Sequence, residues 1–198
     1  MRLLYIAISI LFMLVSTLAD VDAQVRRKSS GSKSKSKKNK TEEKISIVDK
    51  INPEIKFGNL GFFNGLSVSS KLTAGYKLHP RFTVGGGAKL FYDQFAVTGP
   101  DPSVFDYGGL LLARGKITQE IYIQAEYAFM HYSKDPAPYR IRDLFEDRNV
   151  NYPLIGAGYM SGIGKWRFGV ELMYIGSQEA QDIQNSVIEY WFGASYNF

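Results

Sequence analysis

From residue 54 onward, apolar and polar residues alternate with a period of two. The clearest run, 120–132, sets Ile121, Ile123, Ala125, Tyr127 and Phe129 on one face. Successive residues of a strand point to opposite sides, so this pattern predicts a strand with one apolar face. The alternation recurs at 66–77 (Leu66, Val68, Leu72, Ala74, Tyr76) and at 81–95 (Phe82, Val84, Ala88, Leu90, Tyr92). It returns at 165–175 (Trp166, Phe168, Val170, Leu172, Tyr174) and at 186–198 (Ile188, Tyr190, Phe192, Ala194, Tyr196, Phe198). Runs at 54–63, 105–116 and 152–162 complete eight predicted strands, and in 152–162 two registers fit equally well. An even number of antiparallel strands lets a sheet close on itself and lose its edges.

The connections carry a second pattern. Those after the second, fourth and sixth strands are short (Leu78-His79-Pro80, Ile117-Thr118-Gln119, Ile163-Gly164), whereas those after the third, fifth and seventh are longer. Short turns at one end and long loops at the other are the habit of transmembrane barrels. Asn64-Gly65 is the exception, a tight hairpin at the long-loop end. Tyr76, Phe82, Trp166 and Phe198 fall near the short turns, and Phe63, Tyr92, Phe105, Tyr107, Tyr132 and Tyr174 near the long loops. Such rings form girdles at headgroup level. The expected fold is therefore all-β, an eight-stranded antiparallel transmembrane β-barrel. With the apolar faces turned outward, Lys56, Lys71, Lys89, Asp93, Arg114, Lys116, Glu120, Glu126, Arg167, Glu171 and Glu189 point inward, with Thr73, Gln124 and Trp191. Eight strands enclose a space that side chains alone can fill, so these charges are expected to form ion pairs that plug the lumen. A soluble barrel binding a lipophilic ligand would reverse the faces, apolar inside and charged outside.

Charge is unevenly placed along the 198 residues. The chain carries a net +5, yet Arg26, Arg27, Lys28, Lys33, Lys35, Lys37, Lys38 and Lys40 lie together in a Ser/Lys stretch without an acid. That stretch cannot bury enough surface to offset its ordering entropy and is expected to be disordered. Ahead of it, Met1-Arg2, an apolar core at 3–18 and Val21-Asp22-Ala23 read as a signal peptide cleaved before Gln24. The expected organisation is a signal peptide at 1–23, a disordered basic periplasmic linker at 24–44 and the barrel at 45–198. A secreted basic tail meets little nucleic acid, so two readings stand: contact with an anionic periplasmic partner or lipid surface through Arg26 to Lys40, or a solvated spacer between leader and barrel. The chain has no Cys, which excludes disulfides and thiolate sites.

The segments Leu72-Thr-Ala-Gly-Tyr-Lys-Leu-His-Pro-Arg-Phe-Thr-Val-Gly-Gly-Gly, Ile123-Gln-Ala-Glu-Tyr and Leu154-Ile-Gly-Ala-Gly-Tyr, with the C-terminal Phe198, resemble a family of small outer-membrane barrels from Bacteroidetes-type bacteria. The similarity spans 56–198. It implies an outer-membrane location and recognition of Phe198, Tyr196 and Phe192 by the barrel-insertion machinery. Relatives serve secretion or surface adhesion, so the resemblance specifies architecture and not chemistry.

Candidate chemistry is sparse. His131 and Ser133 sit on one face at the outer end of the fifth strand, and a His that activates a Ser makes a nucleophile. The element resembles the His-x-Ser of lipid A deacylases, but Lys134 stands where their pattern has Asn, and Asp135 is the nearest candidate for the orienting carboxylate. His79 lies in a Pro turn at the opposite end, which excludes a His pair, and Gly85-Gly86-Gly87 lies within a strand, so it is no phosphate loop. A non-enzymatic barrel without metal or cofactor is the leading expectation, and the deacylase-like enzyme is the alternative. In the loop 134–150, Leu144 and Phe145 stand out as one exposed contact point.

Overall fold

The computed structural model describes residues 47–61, 65–95, 102–136 and 142–198. The signal peptide and basic linker expected at 1–23 and 24–44 fall outside the described residues, as do Phe63 and Asn64.

A single-turn helix, α1 (Ile47–Lys50), leads into eight strands: β1 (Ile51–Gly61), β2 (Gly65–His79), β3 (Phe82–Phe95), β4 (Ser103–Lys116), β5 (Ile121–Tyr132), β6 (Arg148–Ser161), β7 (Trp166–Ile175) and β8 (Ile188–Tyr196). Each strand pairs antiparallel with the next, and β8 returns to β1, Phe192 opposite Phe57, to close the barrel. The closure, over Glu54–Gly58 and Trp191–Ser195, removes the free edges of the sheet.

The distribution of polarity is inverted relative to a water-soluble core. Leu111 and Ile155 on the outer wall are 60 % and 65 % exposed, while Lys71 and Lys89 inside are fully buried. Outward rings pack along the wall in pairs, Tyr127 with Phe129 at 5.1 Å and Trp166 with Tyr196 at 5.2 Å between centroids. The faces a soluble ligand-binding barrel requires are therefore exchanged.

Inside, the lumen has two layers. Nearer the short turns lie the charges. Nearer the long loops lies an apolar cluster including Phe91, Met130, Tyr132, Tyr152, Leu154, Met173 and Ile175. The lumen fixes the register of β6: Tyr152 and Leu154 are buried in this layer and Met160 nearer the short turns, and Ile155, Ala157 and Tyr159 face out. Both faces of β6 are apolar, one toward the lumen and one toward the exterior, which is why alternation alone left two registers. It also places Tyr132 in the lumen at 2 % exposure and not in the outer girdle.

Two elements cover the apolar layer. A second helix, α2 (Gln178–Gln184), absent from the strand-based expectation, buries Ala180 and Ile183, three residues apart on one face. Gln181 Nε2 ties it to the Ile175 carbonyl at 2.7 Å, and Asn185, left-handed at φ 49°, ends it. Leu144 enters the same cluster at 5 % exposure, held by a bond from the Asp135 amide to its carbonyl at 2.9 Å. Leu144 is thus a core residue, and of the expected contact pair Phe145 alone is exposed. Full burial of one Leu stabilises by about 1.5–3 kcal/mol, enough to fix this loop over the mouth.

β8 also departs from its expected course. Strand geometry stops at Tyr196, and Asn197 adopts φ 60°. This turn breaks the alternation and swings Phe198 from the outer wall into the short-turn mouth, 5.4 Å from the Tyr122 ring.

Candidate functional site

Strand alternation brings Lys56 (β1), Lys71 (β2) and Lys89 (β3) to the inner wall directly beside one another in register. Like charges so placed repel. Across the lumen, Glu126 (β5), Glu171 (β7) and Glu189 (β8) face them, and Glu54 (β1) faces Arg114 (β4). All eight are at most 5 % exposed.

Their contacts form one chain of alternating sign. Arg114 grips Glu54 with two nitrogens, one at 2.8 Å from Oε2. Glu54 lies 2.9 Å from Lys56 Nζ, which donates to Glu171 at 2.7 Å. Glu171 meets Lys71, Lys71 donates to Glu126 at 2.8 Å, and Glu126 lies 2.9 Å from Lys89, which donates to Glu189 at 2.7 Å. Four cations thus balance four carboxylates, the condition under which buried charge is tolerable.

Neutral donors complete the carboxylate shells. Tyr122 Oη donates to Glu171 at 2.7 Å, Gln124 Nε2 to Glu126 at 2.6 Å, and Trp191 Nε1 to Glu189 at 3.1 Å. Lys71 Nζ stands 4.8 Å from the centre of the Trp191 ring, and Arg114 Cζ 4.3 Å from that of Tyr122, so rings also take up cationic charge. Gly158 makes room for Tyr122, because a Cβ there would collide with the phenol ring.

Of the residues expected in the lumen, Lys56, Lys71, Lys89, Arg114, Glu126, Glu171 and Glu189 come together. Asp93, Lys116, Glu120 and Arg167 do not join them, since they lie near strand ends and reach the mouths. Asp93 lines a cavity of about 680 Å³ at the long-loop end, with Asp106 and Arg142. Glu120 accepts a bond from Ser161 Oγ at 2.8 Å. Lys116 and Arg167 line the short-turn mouth beside Phe198. Glu54 and Tyr122 were missed, although Glu54 precedes Lys56 by two positions and so shares its face.

The fold is a closed eight-stranded barrel with a packed, charge-balanced lumen. No family model and no curated protein matches this chain. Among solved structures it is similar to the outer membrane protein Ail of Yersinia pestis, determined in a phospholipid bilayer nanodisc, at 12 % identity and a TM-score of 0.43, over 74 % of this chain and 96 % of that one.

The His131 and Ser133 side chains are each engaged elsewhere. His131 Nδ1 lies 2.9 Å from Asn149 Oδ1, and its ring packs on Tyr107. Ser133 Oγ donates to the Phe105 carbonyl at 2.7 Å, and its amide donates to Asp106 at 2.8 Å. Asp135 binds Arg142 through Nε at 3.1 Å and accepts the Arg142 amide at 2.7 Å. Arg142 in turn donates to Asp106 at 2.5 Å and to the Ser133 carbonyl at 2.6 Å. These residues form a clasp holding the loop after β5 against β4. A nucleophile needs its base within hydrogen-bond reach, and here the hydroxyl proton goes to a main-chain carbonyl.

Proposed function

We propose that this protein is a bacterial outer-membrane barrel of the small kind that its strand-and-turn motifs resemble, with a closed lumen and a structural or interaction role. The observation that carries the reading is the inverted wall: an apolar exterior girdled by paired rings, around an interior of lysines, arginine and glutamates. In water such an exterior would be an unusually large exposed apolar surface, whereas a bilayer covers it. No helix among the described residues is long and apolar enough to cross a membrane, so crossing falls to the strands, as a closed barrel allows.

On this reading the short turns, the start of β1 and the basic linker face the periplasm, and the long loops with α2 face outward. Phe192 and Tyr196, on the exterior of β8, offer the insertion machinery an aromatic strand, with Phe198 turned inward after closure. The linker residues Arg26 to Lys40 provide the contact to an anionic periplasmic partner. The long loops and the linker are the surfaces this reading leaves for interaction.

The test is single-channel recording of the purified protein in planar bilayers. A lumen filled by the charge chain and sealed by Leu144 and α2 passes no steady ionic current. A stable open conductance comparable to that of a small porin would refute the plugged-lumen reading. The deacylase-like alternative is tested separately by the lipid A mass of cells with and without the protein, which should be unchanged.

A further inference from the structure

The short-turn mouth carries charge that the lumen does not neutralise. Lys77, Lys116 and Arg167 occupy the last inward-phase positions of β2, β4 and the start of β7, and Arg81 stands just before β3. Among the described residues, Glu120 is the side-chain carboxylate in this ring, and it accepts a bond from Ser161. The four carboxylates deeper inside are matched by their own four cations. Asp49, on α1, is engaged with Lys165 at 3.2 Å. Among the described residues, no carboxylate lies within ion-pair distance of Arg81, Lys116 or Arg167.

Those three cations converge on one concavity of about 470 Å³, lined also by Pro80, Thr118, Gln119 and Phe198. Its apolar lining is Pro80, Ile117 and the Phe198 ring, the last brought there by the left-handed Asn197, and Lys116 Nζ lies 3.9 Å from the ring centre. Arg167 commits Nη1 to the Gly162 carbonyl at 2.7 Å, which fixes the guanidinium, and its other donors meet no acceptor among the described residues. The result is a fixed guanidinium, a second Arg and a Lys around a space large enough for a small ligand.

We propose that this mouth is a binding site for a phosphate-bearing anion. Arg offers a planar fork suited to phosphate oxygens and Lys a compact charge. The mouth opens where the barrel meets the inner headgroup layer, so the phosphate can belong to an acidic lipid headgroup or to a soluble phosphate compound. The inference rests on the barrel reading only for which side the mouth faces; the anion chemistry is independent of it.

The experiment uses the full mature chain, refolded in a maltoside detergent so that the micelle contributes no phosphate. Calorimetric titration with inorganic pyrophosphate tests the soluble source. Native mass spectrometry after reconstitution in mixed phosphatidylcholine and phosphatidylglycerol nanodiscs tests the lipid source, through retained phosphatidylglycerol. Lys116→Gln and Arg167→Gln are compared with Glu146→Gln at the opposite end, all in a full mature chain whose eight basic residues between Arg26 and Lys40 are changed to Gln so that the linker adds no anion binding, each checked for its folded, heat-modifiable gel mobility. Saturable binding, about tenfold weaker in either rim variant, unchanged in E146Q and weakened by salt, is the expected result. Pyrophosphate binding identifies a soluble ligand, and selective phosphatidylglycerol retention without it identifies a lipid. Neither signal in the parent protein, or either signal undiminished in folded K116Q and R167Q, overturns the proposal.

Discussion

Glu171 is the point where the charge chain is most sensitive. It receives Lys56 at 2.7 Å, Lys71, and the Tyr122 hydroxyl at 2.7 Å, with Arg114 at 3.9 Å, and is 1 % exposed. Glu171→Gln keeps the shape and removes the charge, leaving four buried cations facing three carboxylates. Breaking a buried pair by deleting one partner costs about 3–5 kcal/mol. Lys56 retains Glu54, and Lys71 retains Glu126, so the lower end, about 3 kcal/mol, is expected. The assay is urea unfolding in lipid vesicles, followed by Trp fluorescence and by gel mobility. Lys71→Met in the E171Q background restores the balance at three against three, and the double variant should recover at least about 1 kcal/mol of the loss, as contacting residues couple. A loss in E171Q below about 1 kcal/mol, the scale of exposed pairs, would mean that the lumen is wet and its charges screened. Equal damage in the single and double variants would refute the balance argument even if the loss were large.

Three further outcomes follow from the same geometry. Leu144→Ala should destabilise by about 2–5 kcal/mol, read as faster protease cleavage of the loop 133–147 before the barrel itself unfolds. Gly158→Ala should push Tyr122 off Glu171 and cost about 1–3 kcal/mol by overpacking; Tyr122→Leu in the same chain should return part of that, both measured by urea midpoint. Ser133→Ala should leave lipid A mass unchanged while loosening the loop after β5, seen as faster amide exchange at Ser133 and Arg142, because its hydroxyl serves the Phe105 carbonyl.

The strands were legible because a period of two is written in both faces at once: Ile121 to Phe129 outward, Gln124 and Glu126 inward. Where an inward position is itself apolar the signal fails. Met130, Tyr152 and Met173 belong to the lumen's apolar layer, and nothing in their residue type separates that layer from the exterior. Position along a strand was the second blind spot. Lys116 and Arg167 share the phase of the buried charges, but alternation reports which face a side chain takes and not how deep it lies, so mouth and middle were merged. The helix α2 left a trace in Ala180 and Ile183, spaced at three, within a segment read only as a loop. The turn at Asn197 was hidden because one left-handed residue cancels a periodicity that otherwise runs on to Phe198. His131 and Ser133 show the reverse case, a spacing that suits catalysis while the folded side chains brace a loop.

The side-by-side lysines of β1, β2 and β3 have a bearing on how the barrel is made. As the chain emerges, the first three strands pair by setting Lys56, Lys71 and Lys89 in a row, with Glu54 as the acid that touches one of them and Arg114 soon competing for it. The answering glutamates arrive with β5, β7 and finally β8. The row of charge is offset in steps, by Glu126 from β5 and Glu171 from β7, and the balance is completed when β8 brings Glu189 to Lys89. The final strand thus carries both the seam with β1 and the last of the four answering carboxylates.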